Sequence, residues 1–144
     1  MSQAKAPAGE NLRLLINSIT DTYWQGTRDG KLRAAACSEC GRYRMPYLPF
    51  CANCNAQSVT WHDLKGPAKV YSFTFYPHPD RSDGEDTMLA PVIVEFDEAP
   101  GIRYAGNLDD VAVEDVHIGM PLAVGWIHNK DGWGFPTFRP LAQD

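Results

Sequence analysis

No apolar run in this sequence approaches the ~18 residues that cross a bilayer. The opening stretch, MSQAKAPAGENLRLLINS, has nothing more hydrophobic than Leu14-Leu15-Ile16. That is too short for the core of a secretory signal, so neither a leader nor a membrane span is expected, and a cytoplasmic setting follows. The short signatures of common chemistry are also missing. There is no HExxH, no GxSxG and no Gly-rich phosphate loop, which removes the simplest routes to a zinc protease, a serine hydrolase or a P-loop nucleotidase. The histidines, His62, His78, His117 and His128, are scattered and form no triad-like group. They are expected at the surface or in packing, with His78, in a Pro-containing loop, the best placed for contact. The acidic pairs Asp97-Glu98 and Asp109-Asp110 flank turns, where carboxylates are simply solvated. No catalytic residue is assigned.

Cysteine is scarce and concentrated. All four lie in CSECGRYRMPYLPFCANC, as two Cys-x-x-Cys pairs separated by ten residues. A Cys-x-x-Cys turn presents two sulfurs to one ion, and two such turns complete a tetrahedral shell. Cys37, Cys40, Cys51 and Cys54 supply that set with none left over, and Gly41 and Asn55 follow the pairs where a positive φ is often needed. A four-cysteine zinc ribbon is the reading, with iron in a rubredoxin-like site as the alternative that spacing separates poorly. A thioredoxin-type pair would open a helix in a βαβ setting, and neither pair does. Disulfides are disfavoured in a reducing compartment. Four thiolates leave no open position for water, so the metal is expected to be structural, folding a unit of about 25 residues that is too small for an adequate core.

The remaining composition is ordinary. At 44% hydrophobic and 22% charged, the 144 residues predict a folded chain of one ordinary domain, or a small domain joined to a metal-stapled one. The net charge of −5 is unevenly spread. Residues 1–62 hold seven Lys/Arg and four Asp/Glu, giving 7 − 4 = +3, and residues 63–144 hold six and fourteen, giving 6 − 14 = −8. The second half would repel a phosphate backbone, so nucleic acid is not an expected partner. This holds although aromatics Tyr71, Phe73, Phe75, Phe96 and Tyr104 alternate on strands in a way that could stack bases.

Along the chain, residues 1–9 read as a flexible tail. Leu12, Leu15, Ile16, Ile19, Tyr23 and Trp24 recur at helical spacing, predicting an amphipathic helix over 10–25 that packs inward or docks on another protein. A lead-in strand follows to residue 36, then the cysteine unit over 37–62. From 63 to 144 the pattern is all-β: strands over 68–76, 90–96, 102–107, 122–128 and 133–138, a long polar loop over 77–86, a short helical turn within 109–116 and a hairpin at 129–132. Five strands with short turns suit an OB-fold barrel. The fold class is mainly β: N-terminal helix, zinc ribbon, five-stranded barrel.

The runs YWQGTRDGKLRAAACSECGRYRMPYLPFCANC, VYSFTFYPHP, PVIVEFDEAPGIRYAGNL, HIGMPLAVGW and FPTFRPL together resemble the acyl-CoA-associated family built from a rubredoxin-like zinc ribbon and an OB fold, a domain of unknown function (number 35). The likeness covers about 22–141. The resemblance implies an accessory, non-catalytic subunit of thiolase-superfamily enzymes (thiolases, acyltransferases, CoA-linked retro-aldolases), with a MaoC-like enoyl-CoA hydratase as the alternative partner. It implies a heterotetramer on a partner dimer, structural zinc, and a coenzyme A thioester as shared ligand. Coenzyme A carries phosphates, which gives the basic half a use: Arg28, Lys31, Arg33, Arg42 and Arg44 are candidates to steer it. Arg33, Arg42, Arg44, Tyr47, His78 and Trp24 are the residues taken as contacts for CoA or partner. Leu48 stands where many relatives have Arg, so no basic contact is carried over there, and Asn55 stands where many have Gly.

Overall fold

The computed structural model describes residues 2–77 and 86–142. In chain order the elements are β1 (Gln3–Ala4), α1 (Asp21–Arg28), β2 (Leu32–Cys37), β3 (Tyr43–Arg44), β4 (Val59–Leu64), β5 (Ala68–Phe73), β6 (Tyr76–Pro77), β7 (Thr87–Leu89), β8 (Pro91–Phe96), β9 (Arg103–Leu108), β10 (Val111–Ala112), β11 (Pro121–His128) and β12 (Gly134–Pro140). One 3-10 turn, Val113–Asp115, follows β10.

Alternation places the barrel strands. In β8 the residues Val92, Val94 and Phe96 are 1%, 0% and 2% exposed, while Pro91, Ile93 and Glu95 between them are more open, the period-2 pattern of a sheet with one buried face. Strands β5, β8, β9, β12 and β11 close a barrel in that order, with β11 returning to β5. Every seam is antiparallel except β9–β12, where Thr137 lies beside Asn107 and Phe138 beside Leu108. This is the five-stranded OB arrangement expected from the sequence.

The cysteine unit hangs on a second sheet, β3-β2-β4. β2 and β4 pair over their full lengths, from Leu32 opposite Leu64 to Cys37 opposite Val59. The two sheets share one core. Leu32 and Ala34 of β2 are buried in the same cluster as Val70, Tyr104, Leu108 and Phe138 of the barrel, and the Tyr104 hydroxyl donates to the Arg33 carbonyl at 2.9 Å. A boundary between residues 62 and 63 therefore cuts through β4 rather than between two cores.

The N-terminal expectations need two corrections. The helix spans only Asp21–Arg28, not 10–25. Asn17 is the reason: its side-chain oxygen accepts from the amides of Ile19 and Thr20, both at 3.0 Å, and such a local capture competes with helix upstream. Residues before it are drawn onto the β11–β12 hairpin, where Asn129 Nδ2 donates to the Leu12 carbonyl at 3.1 Å and the Lys130 amide to Glu10 at 3.3 Å. The tail is not free either. β1 fills a slot between β10 and β7, Ala4 is fully buried, and the Ala6 amide donates to Asp109 Oδ1 at 3.0 Å. Two unpaired strand edges bind this short segment, an effect of tertiary structure that local composition does not carry.

Helix α1 is fastened to the barrel through Thr27. Its hydroxyl donates to the Trp24 carbonyl at 2.7 Å and accepts from the Gly134 amide at 3.0 Å. A Cβ on Gly134 would lie 2.7 Å from the Thr27 carbonyl oxygen, so the approach needs glycine. Of the expected loop over 77–86, residues 78–85 lie outside the described residues; Pro77, its first residue, is in β6, and residues 87–89, just after it, form β7.

Candidate functional site

β2 delivers Cys37 at its last residue, and two turns of matching geometry deliver the rest. In the first, the Gly41 amide donates to the Cys37 carbonyl at 2.9 Å and Cys37 in turn to Arg42 at 2.8 Å; in the second, Asn55 donates to Cys51 at 2.9 Å and Cys51 to Ala56 at 2.8 Å. Each turn closes on a residue with positive φ, 78° at Gly41 and 63° at Asn55, the two positions the sequence suggested. The four sulfurs all lie within 4.8 Å of one another, and the pairs Cys37–Cys54 and Cys40–Cys51 are 3.6 Å apart. Tetrahedral zinc with bonds of ~2.3 Å places its sulfurs at about 3.8 Å, so the donors fit one ion, and the separations are far beyond a disulfide. Cys37 and Cys51 are buried; Cys40 and Cys54 are exposed.

The same geometry shows why a cation is needed. The Cys40 amide pulls the Cys37 thiol down to about 6, and the Cys54 amide lowers Cys51. Cys54 cannot follow: the Ala56 amide favours its thiolate, but hydrogen bonding with Cys37, burial and the other two sulfurs outweigh it and push it up to about 12. Four mutually close thiolates exist only around a positive charge. An ion held by all four sulfurs would keep no open coordination position.

Between the two turns sits Arg44, only 6% exposed. Its Nη1 donates to the Leu48 carbonyl at 2.9 Å and its Nη2 to Ala56 at 3.0 Å and Ser58 at 3.5 Å, while Nε has no partner. The guanidinium thus ties the ten-residue connection to the second turn. As a steering group for phosphate it is corrected: its charge is committed inside. Three neighbours also have partners, Arg33 half-buried and Lys31 and Arg28 exposed. Arg33 donates to the Thr22 carbonyl at 3.0 Å and pairs with Asp63 at 3.3 Å; Lys31 pairs with Asp63 at 3.7 Å; Arg28 lies 3.8 Å over the Trp133 ring. Of the five basic candidates, Arg42 alone is exposed without a partner among the described residues.

What the fold does bring together is an apolar cleft. Trp24, Arg33, Arg44 and Tyr47, four of the six residues taken as contacts, line one cavity of about 120 Å³ with Tyr23 and Trp61 among its other walls. Tyr47 packs on Trp61 with ring centroids 5.1 Å apart, and Tyr23 meets Trp24 edge-on at 4.9 Å. Burial pushes the Tyr23 hydroxyl up to about 12. Near the cleft the knuckle connection exposes Leu48 and Phe50, each 54% open, and the segment before α1 exposes Leu15 at 96%. His78 lies outside the described residues. Trp61 escaped the sequence reading because it was counted with the cysteine unit; its only signal was the alternation in VTWHDL. Among the described residues no helix is long and apolar enough to cross a membrane.

Residues 24–60 match the family described as the ChsH2 rubredoxin-like zinc ribbon domain, and residues 61–126 match the ChsH2 C-terminal OB-fold domain. The chain belongs to the DUF35 family. As a DUF35 protein with a ChsH2-type ribbon it carries the four cysteines that fit structural zinc. It is similar to a "Probable enoyl-CoA hydratase alpha subunit" of Thermomonospora curvata, 27% identical over 128 residues, covering 89% of this chain and 39% of that protein. It is also similar to a "DUF35 domain-containing scaffold protein" of Methanocaldococcus jannaschii, 28% identical over 86 residues, 58% of this chain and 59% of that one. The chain therefore spans less than two thirds of either relative. Among solved structures, one described as "Ltp2-ChsH2(DUF35) aldolase" superposes with a TM-score of 0.76 at 26% identity, covering 89% of this chain and 98% of that one. A DUF35 protein of unknown function from Sulfolobus solfataricus shares the fold at a TM-score of 0.63 and 16% identity, covering 87% of each chain.

Proposed function

We propose that this DUF35 protein is an accessory subunit of an acyl-CoA enzyme of the thiolase superfamily, and that it docks beside the partner's active site and helps shape the acyl-CoA site. The observation that carries this reading is the aromatic cleft of Trp24, Tyr47 and Trp61, set beside a metal-closed knuckle whose Leu48 and Phe50 stand in solvent. Exposed apolar side chains around a preformed pocket are the anatomy of a docking site, where a few anchors carry most of the energy. The metal is a clasp, the partner supplies nucleophile and acid/base groups, and the likeness to an aldolase-associated DUF35 chain supports the pairing. The assembly is expected to be a heterotetramer on a partner dimer. On this chain Arg42 is the side chain left to meet a CoA phosphate.

Coexpression with the thiolase-superfamily enzyme encoded beside this chain tests the reading. A stable complex is expected, with acyl-CoA turnover that needs both subunits. A partner that is fully active and stable alone, with no complex formed, removes the proposal. A second reading, pairing with a MaoC-like enoyl-CoA hydratase, is favoured by the name of the Thermomonospora relative; copurification with a hydratase instead of a thiolase would establish it.

A further inference from the structure

The barrel is closed along only part of one seam. β11 pairs with β12 from Leu122 opposite Pro140 to His128 opposite Gly134, but with β5 only at Pro121 and Leu122. The direction of its remaining backbone groups follows from two prolines. Opposing residues in an antiparallel ladder alternate between pairs that exchange hydrogen bonds and pairs that do not. Pro140 and Pro136 have no N–H to give and stand opposite Leu122 and Trp126, so those are non-bonded pairs. Ala123, Gly125 and Ile127 bond to β12. Leu122, Val124, Trp126 and His128 point the other way. Leu122 meets β5 there; the His128 carbonyl is covered by Gly9, whose Cβ position lies 3.0 Å from it. The N–H and C=O groups of Val124 and Trp126 find no partner among the described residues. Along this edge runs the largest groove described, about 510 Å³, walled by Gly30, Leu64, Lys65, Pro67 and Leu141.

We infer that the open edge of β11 at Val124 and Trp126 is a strand-addition site, occupied by an extended segment of the acyl-CoA enzyme partner. This rests on the accessory-subunit reading and names the contact it would use. The free groups are spaced to pair with an extended backbone. A second copy is a poor occupant: pairing two barrel edges requires the strands to approach to ~4.8 Å, and this edge is recessed behind the 64–67 turn. The stretch of β11 left open, residues 123–126, offers an incoming strand about 13 Å of edge at ~3.4 Å per residue. The groove's apolar floor, Leu122, Val124 and Trp126, selects alternating apolar residues facing inward; at its rim Glu98 Oε1 accepts from the amides of Lys65 and Gly66 at 2.7 and 2.6 Å, while the exposed Lys65 side chain makes no ion pair among the described residues and can reach a carboxylate flanking the segment.

Amide exchange on the free chain and on its complex with the enzyme encoded beside it tests the site. In the free chain the amides of Val124 and Trp126 exchange at least a hundredfold faster than those of Ala123, Gly125 and Ile127; in the complex they slow by at least tenfold. Val124→Pro removes the N–H that faces the groove and trades one small apolar side chain in its floor for another, as an edge strand tolerates. It should melt near the wild-type temperature and bind the partner at least tenfold more weakly, with Lys65→Glu about threefold weaker. If Val124→Pro does not fold, exchange in the wild-type complex decides. A complex that leaves both amides fast overturns the strand-addition site and leaves the accessory role standing; amides already slow in the free chain overturn it as well; absence of any complex overturns both.

Discussion

The two ends of β2, five positions apart, are held by different forces. Leu32 and Ala34 are buried among barrel side chains and are fixed by the removal of apolar surface from water. Cys37, at the other end, is fixed by three other sulfurs and by the Arg44 guanidinium that laces residues 48, 56 and 58 together. One strand thus passes from a hydrophobic core into a unit with almost none, and the metal takes over where the core stops. The expectation that the ribbon as a whole depends on metal is therefore too broad. The dependent part is the pair of turns, while the β2–β4 ladder at Leu32 and Leu64 belongs to the barrel.

Metal removal should break the comparison most completely. Chelation, or Cys51→Ala, is expected to abolish stoichiometric metal binding and to release the amides of Gly41 and Asn55 to free exchange, while amides of Val92 and Val94 stay protected. Structural zinc couples folding free energy of order 10 kcal/mol to such small units, so loss should be all-or-none at the turns; equal loss of protection in the barrel would refute the division. Next come two substitutions that probe each end. Leu108→Ala, fully buried in the barrel, should cost about 2–5 kcal/mol in denaturant unfolding with metal content unchanged. Arg44→Leu strands three carbonyls and should cost about 1–3 kcal/mol while lowering metal affinity, a joint effect that Leu108→Ala must not show. The smallest effect is alkaline. The Tyr23 hydroxyl ionises at about 12 in the folded chain against about 10 when unfolded, and burial raises Tyr104 too, with the nearby Tyr23 and Tyr43 adding to it. Folded tyrosines keep protons the unfolded chain gives up, so stability is full below pH 10 and declines as pH climbs towards 12. Tyr23→Phe should flatten that slope in pH-dependent melts.

Legibility followed the same division. The barrel strands were readable because alternation in APVIVEF or LAVGWIH has one meaning when one face is buried, and the ligand set was readable because the spacing leaves few uses for paired Cys-x-x-Cys. The failures are all contests between local and distant partners. Leu12, Leu15, Ile16 and Ile19 keep helical spacing, yet Asn17 and the 129–130 hairpin take the backbone first. Gln3 and Ala4 look like tail until two edges are available. Arg44 has the charge to greet a phosphate, and only the fold reveals that it faces carbonyls. Trp24, Arg33, Arg44 and Tyr47 were picked for separate reasons, and that they line one cavity depends on how α1 lies across β2.

That placement rests on Thr27. A buried hydroxyl bridging the helix to Gly134 opposes movement of α1 away from the barrel, and so favours a Tyr23 and Trp24 wall that is in place before any partner arrives. A preorganised receptor leaves most of the ordering cost to the incoming side chain. Association at this face should then resemble insertion into a rigid mould, with little backbone change on this side and residence time governed by how well the guest fills it.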